Sequence, residues 1–206
     1  MPDISSLNHS DYKIEKKDVL FQGNFLRLAR YAIIHRLFNG KMSHTFNCEV
    51  LERKSAVAIL PYDPVLDRVI LIEQFRPGAL ADPNTPWLLE IPAGIIDGNE
   101  PPEEVAYREM KEETGCEALN LHPIFEFFVS PGGSNEYLHL YCSKVDASTV
   151  EGIHGLANEN EDIRVINLST DEAFAKMYSG AIKTVPALVS LMWLQIQKKQ
   201  LQSMWL

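Results

Sequence analysis

Three cysteines, Cys48, Cys116 and Cys142, are all that this chain of 206 residues carries, and none lies at the spacing of a zinc site. So sparse and odd a set excludes a disulfide scaffold and points to reduced thiols in a cytoplasmic protein. Basic residues are scarce too: 19 Lys and Arg stand against 28 Asp and Glu, a net charge of −9. A protein that tracks nucleic-acid phosphates needs a basic face, so no nucleic-acid partner is expected. No apolar run nears the roughly 18 residues of a membrane span. The opening MPDISSLNHSD lacks the basic-then-apolar plan of a signal peptide, so no membrane partner is expected either. Internal repeats and low-complexity linkers are missing. At 46% hydrophobic residues the chain can still bury one sizeable core, with room for a smaller appended unit.

Residues 1–54 read as that smaller unit, a small antiparallel β domain. Its two β-rich stretches, 25–38 and 41–53, flank Asn39-Gly40, a two-residue hairpin signal. A lone hairpin is marginal in water, so it needs a neighbour or a second subunit. Residues 55–206 form the main domain. Short apolar strands are expected at 56–60 (AVAIL), 68–75 (RVILIEQF), 87–94 (WLLEIPAG), 124–129, 137–142 and 163–168, with Asp63-Pro64 and Asp82-Pro83 as turns. Ser169 and Glu172 read as a capping box that starts a helix ending before Gly180. Pro186 opens a last helix, with Leu188, Leu191, Met192 and Ile196 as its apolar stripe. Strands mixed with a few separated helices predict an α/β (α+β) protein, a mixed-sheet α/β/α sandwich.

The densest chemistry lies in GIIDGNEPPEEVAYREMKEETGC, residues 94–116. Helical spacing puts Glu109, Glu112 and Glu113 within roughly a 100° arc. Carboxylates stacked this way repel, and an all-oxygen set is suited to a hard cation such as Mg²⁺ or Mn²⁺. A solvated acidic helix face is the commoner reading of such a run. The fixed flanks, Gly94, Glu100, Arg108 and Gly115, count against it. Ala106 and Met110 supply a core stripe beside the acidic face, and Arg108 is suited to bidentate pairing with a carboxylate such as Glu100. Gly94 would allow a close backbone approach, leaving the Ala93 carbonyl as a further oxygen ligand. A general base is also needed. The polar loop 151–162 offers Glu159, Glu161 and, by residue type, His154, although a solvated surface loop fits the same pattern.

The segment resembles the signature of the Nudix hydrolases, GX5EX7REUXEEXGU, departing only at its last position, where Cys116 replaces an aliphatic residue. Cysteine packs as a small hydrophobe, so a packing difference is expected there. The resemblance implies a Nudix-type sandwich that binds a divalent metal and hydrolyses a nucleoside diphosphate linked to another moiety. The strings HRLFNGKMSH, LIEQFRPGA, TPWLLEIPAG, SPGGSNE and HGLANENEDIRV are similar, beyond the signature, to the ADP-ribose pyrophosphatases of Gram-negative bacteria. Pro131, fifteen residues past the signature, stands where a proline marks that branch.

That similarity implies that Ala93, Glu109, Glu113 and Glu161 bind Mg²⁺, with Mn²⁺ as a possible substitute. Glu112 and Arg108 would assist, and Glu159 would be the base. Arg53, Arg76, Ile95, Ser130, Pro131, Gly132 and Glu136 would line the ADP-ribose site. The family is a homodimer with exchanged N-terminal domains, which implies that Phe25 and Leu26 reach across. Cys48 and Glu49 fall at substrate-facing positions as well, and relatives carry arginine just before that glutamate, where this chain has cysteine. The expected reaction yields AMP and ribose 5-phosphate. Its rivals are hydrolysis of another nucleoside diphosphate sugar and a non-catalytic domain that senses ADP-ribose.

Overall fold

The structure, a computed structural model, describes residues 7–157 and 160–206. The chain divides into two compact units. The smaller comprises the described part of Met1–Lys54 together with Phe128–Glu136, and the larger comprises Ser55–Phe127 with Tyr137–Leu206. The loop 128–136 thus groups with the N-terminal strands, although the sequence suggests a single cut after residue 54.

The smaller unit is a three-stranded antiparallel sheet in the order β1 (Tyr12–Gln22), β2 (Arg27–His35), β3 (Phe46–Glu52). Strand β1 is absent from the sequence expectation, because its KIEKKDV core is charged and carries no apolar run. Two register shifts, between Ile14 and Lys16 and between Val19 and Phe21, blur its alternation further. The β2–β3 turn also differs from the two-residue form. Leu37 N–H bonds to the Lys41 carbonyl and Gly40 N–H to the Leu37 carbonyl, with Gly40 at φ +83°. That is a turn followed by a left-handed residue, the form taken by a three-residue loop.

In the larger unit the strands are β4 (Ala56–Asp63), β5 (Arg68–Phe75), β6 (Trp87–Glu90), β7 (Ala93–Ile95), β8 (Asn120–Phe128), β9 (Tyr137–Lys144), β10 (Ile153–His154) and β11 (Ile163–Ser169). They form one mixed sheet in the order β10-β11-β5-β4-β9-β8, with β4 and β9 parallel. Strands β4 and β5 pair only near their turn, at Tyr62–Val69 and Asp63–Arg68. Beyond it they part, and β6 pairs with β5 while β7 pairs with β4. The expected strand 87–94 is therefore two strands broken at Ile91-Pro92, because proline has no N–H to give a ladder. This fork puts the end of β7 beside the helix that follows.

That helix, α1 (Pro102–Thr114), buries Val105, Ala106 and Met110 against Val57, Ile59, Ile70 and Val165. Cys116 is buried in the same cluster, which fits its reading as a packing residue. The alternate residues of β4, among them Leu60 and Tyr62, face the other way. There they meet α3 (Val185–Trp205), which with α2 (Thr170–Tyr178) covers the second face. The result is the α/β/α sandwich expected. The Ser169–Glu172 capping box is present at the start of α2. The stripe of α3 needs correcting: Ala187, Ser190, Leu191, Leu194, Leu201 and Trp205 are buried, whereas Met192 and Ile196 are exposed. The helix presents two apolar stripes, and only contact decides which one is core. Among the described residues no helix is long and apolar enough to cross a membrane.

Candidate active site

Strand β7 and helix α1 build the acidic centre together. The β4–β7 ladder has bonds at Ile59–Pro92 and at Ser55–Ile96, so by antiparallel alternation Ala93 turns its N–H and carbonyl away from β4. The N–H meets Glu113 Oε2 at 2.9 Å, which puts the carbonyl on the side of α1. At the next residue, a Cβ on Gly94 would overlap the Glu109 carboxylate. Glycine leaves room for the Glu109 carboxylate to lie directly on the strand backbone, and any side chain here would have to displace it.

Glu113 is 2% exposed. Burial pushes its carboxyl up to about 8; the Ala93 N–H and Arg76 oppose this, and the charges of Glu109 and Glu161 reinforce it. Glu109 is pushed up to about 7, again by burial first, with Arg108 opposing and Glu112 and Glu161 adding to the rise. Three carboxylates therefore feel one another in a poorly hydrated place.

Arg108 answers part of this charge. Its Nη1 donates to Glu109 at 2.7 Å and to Glu112 at 3.2 Å, whereas Glu100 stands 3.7 Å from Nη2. The guanidinium thus bridges two carboxylates of its own helix, and Glu100 is its more distant partner. Pairing within one helix turn needs no loop to be ordered, which explains the preference. Arg76 is steered by a residue outside the set expected from sequence. Glu90 on β6 accepts from Arg76 Nε at 2.7 Å and from the buried Gln74 at 3.2 Å. A lone carboxylate in the apolar string WLLEI was the available signal.

Glu161 accepts the Leu156 N–H at 3.0 Å. Glu159 lies outside the described residues. His154, the alternative base, has Nε2 3.1 Å from the Glu151 carbonyl oxygen. Among the described residues no three His, Cys, Asp or Glu side chains stand ready to hold a metal ion. Glu109 is turned to Arg108, Glu113 to Ala93 and Glu161 to Leu156. The donor chemistry nevertheless fits a hard divalent cation. All the donors are oxygens, two are raised carboxylates, and a cation would relieve their mutual repulsion.

The remaining candidates fall into two groups. Ile95 joins Arg76 in the larger unit and is half-buried on β7. In the smaller unit, the loop carrying Ser130, Pro131 and Gly132 is tied to the end of β3 by Leu51 N–H to the Gly133 carbonyl and Asn135 N–H to the Leu51 carbonyl. Arg53 N–H bonds to the Asn135 side chain at 2.7 Å, and its guanidinium reaches Glu136 at 3.2 Å. Glu49 pairs with Arg30 at 2.9 Å, and Cys48 lies opposite Tyr31 in the β2–β3 register. Phe25, 77% exposed, and Leu26 sit at the β1–β2 turn.

Comparison with known proteins adds to this geometry. A family described as the NUDIX domain matches residues 52–188. The chain is 43% identical over 196 residues to the ADP-ribose pyrophosphatase of Escherichia coli (strain K12), covering 95% of this chain and 93% of that one. It is 40% identical over 208 residues to the ADP-ribose pyrophosphatase of Haemophilus influenzae, covering 100% and 95%. A GDP-mannose pyrophosphatase of Pectobacterium atrosepticum is 35% identical over 171 residues, covering 82% and 86%.

Proposed function

This chain belongs to the Nudix family, and from that premise we propose that it hydrolyses the pyrophosphate of ADP-ribose to AMP and ribose 5-phosphate. The observation that carries the reading is the buried acidic centre of β7 and α1 within a chain matched over 95% and 100% of its length by two ADP-ribose pyrophosphatases. Ala93 through its carbonyl, Glu109, Glu113 and Glu161 would hold Mg²⁺, or Mn²⁺ in its place, which when bound supplies charge neutralisation and a more acidic water. Arg108 keeps Glu109 and Glu112 aligned on one helix face. Glu159 takes the proton of the attacking water. Arg76, steadied by Glu90, faces the charge that develops on the pyrophosphate.

Substrate recognition is assigned to Ile95 and to the loop of Ser130, Pro131, Gly132 and Glu136 with Arg53. Cys48 and Glu49 are assigned to the substrate site as well, and Phe25 and Leu26 are added from the partner subunit of a homodimer with exchanged N-terminal domains. The exposed Phe25 ring suits stacking on adenine. A second reading, another nucleoside diphosphate sugar, draws on the GDP-mannose relative and on the uncharged Cys48. Values of kcat/KM across ADP-ribose, GDP-mannose and related compounds separate the two: ADP-ribose should rank first, and a higher value for GDP-mannose would favour the second reading.

A further inference from the structure

The helix that carries Glu109 and Glu113 and the loop that carries Glu161 are joined through two adjacent residues, His154 and Gly155. Gly115 ends α1 in the left-handed region at φ +71°. A Cβ on Gly115 would lie 2.7 Å from His154 Cε1, so the imidazole rests on the bare glycine. Next along the chain, Gly155 N–H donates to the Glu112 carbonyl at 3.2 Å. That carbonyl belongs to the last helical turn, where intrahelical partners run out. Gly155 is itself at φ +98°, and a Cβ there would lie 2.7 Å from Glu161 Cβ. Leu156 and Glu161 then bond reciprocally, Leu156 N–H to the Glu161 carboxylate at 3.0 Å and Glu161 N–H to the Leu156 carbonyl at 3.2 Å. Below this step the β10–β11 pair closes the stem, with His154 opposite Ile163 and Val165 N–H on the Gly152 carbonyl.

We propose that His154 is a positioning residue: its ring on Gly115, with Gly155 capping α1, fixes how far Glu161 stands from Glu109 and Glu113. The idea rests on the hydrolytic reading above for its consequence, but not for its geometry. Both glycines are needed for the same reason. A side chain at Gly115 would lift the ring off the helix, and one at Gly155 would push Glu161 away. Displacing a reacting group by about 1 Å can cost on the order of 10²-fold in rate, so a small shift of this latch should appear in kcat rather than in KM.

The test is His154→Ala in the full-length protein, followed by amide hydrogen exchange without metal and by steady-state kinetics with ADP-ribose and Mg²⁺. Exchange at Gly155, Leu156 and Glu161 should quicken about tenfold through local opening, with the amides inside α1 unchanged. The kcat should fall about tenfold or more while KM moves by less than about twofold. His154→Phe, which keeps a flat ring over Gly115, should recover most of kcat. If His154→Ala does not fold, Gly155→Ala must show the same pattern. Unchanged exchange would overturn the latch, and faster exchange with full kcat would overturn the positioning role. Faster exchange in the variant of a wild type that leaves ADP-ribose intact would support the latch and refute the hydrolytic reading.

Discussion

Glu113 concentrates the chemistry of the proposed site in one side chain. It is 2% exposed, bonded to the Ala93 N–H and raised to about 8, chiefly by burial. Glutamine keeps the shape and can still accept that N–H, but it cannot supply negative charge to a cation. Glu113→Gln should therefore lower kcat by about 10²-fold or more, the scale of losing one preorganised electrostatic group. Circular dichroism and melting temperature should stay near wild type. Near-normal turnover would remove Glu113 from the proposed ligand set. Gly94 belongs to the same argument, because Glu109 occupies the space where any other residue would put a Cβ.

At the scale of elements, the capping box of α2 gives a prediction free of active-site chemistry. Ser169 accepts the Glu172 N–H, and Glu172 accepts the Ser169 N–H. Ser169→Ala should cost about 1 kcal/mol. For a chain of this size that is a fall of roughly 2–4 °C in melting temperature, with kcat unchanged; a melting point equal to wild type would mean that the cap is not stabilising. This element was legible because its signal is local, four residues with fixed roles. The same holds for β5, whose bounds Arg68–Phe75 match the run RVILIEQF.

Elements defined by distant partners were harder to read. The charged strand β1 is a strand because β2 pairs with it, and nothing in KIEKKDV announces that. In α3, Met192 and Ile196 have the spacing of a core stripe, yet the buried residues are Ala187, Leu191 and Leu194. The acidic helix was legible from spacing within one turn. The lone carboxylate in WLLEI marks Glu90 as unusual, but that it holds Arg76 depends on β6 pairing with β5.

For the whole molecule, the acid side of stability can be worked out from Glu52. Its carboxylate is 9% exposed and meets Lys17, Arg27 and Tyr31. Burial alone would raise it; the Lys17, Tyr31 and Arg27 partners override that and bring it down to about 2. A carboxyl lowered from its ordinary 4.5 contributes stability that is complete above 4.5 and is lost as pH falls through about 2. Urea unfolding of wild type and Glu52→Gln should differ most above pH 4.5 and converge toward pH 2. A difference that does not change with pH would contradict the assignment. The strands of this unit bury only Ala29 and Glu52, leaving Val19, Phe21 and Phe46 exposed, which suits the proposed exchange between subunits.

Residue, helix and fold converge on one proposed activity, hydrolysis of ADP-ribose at the acidic centre of a Nudix chain. Incubating the purified protein with ADP-ribose and Mg²⁺, then identifying the products by chromatography and mass spectrometry, tests it most directly. AMP and ribose 5-phosphate should form in equal amounts, with no products once the metal is chelated. ADP-ribose recovered intact in the presence of Mg²⁺ would contradict it.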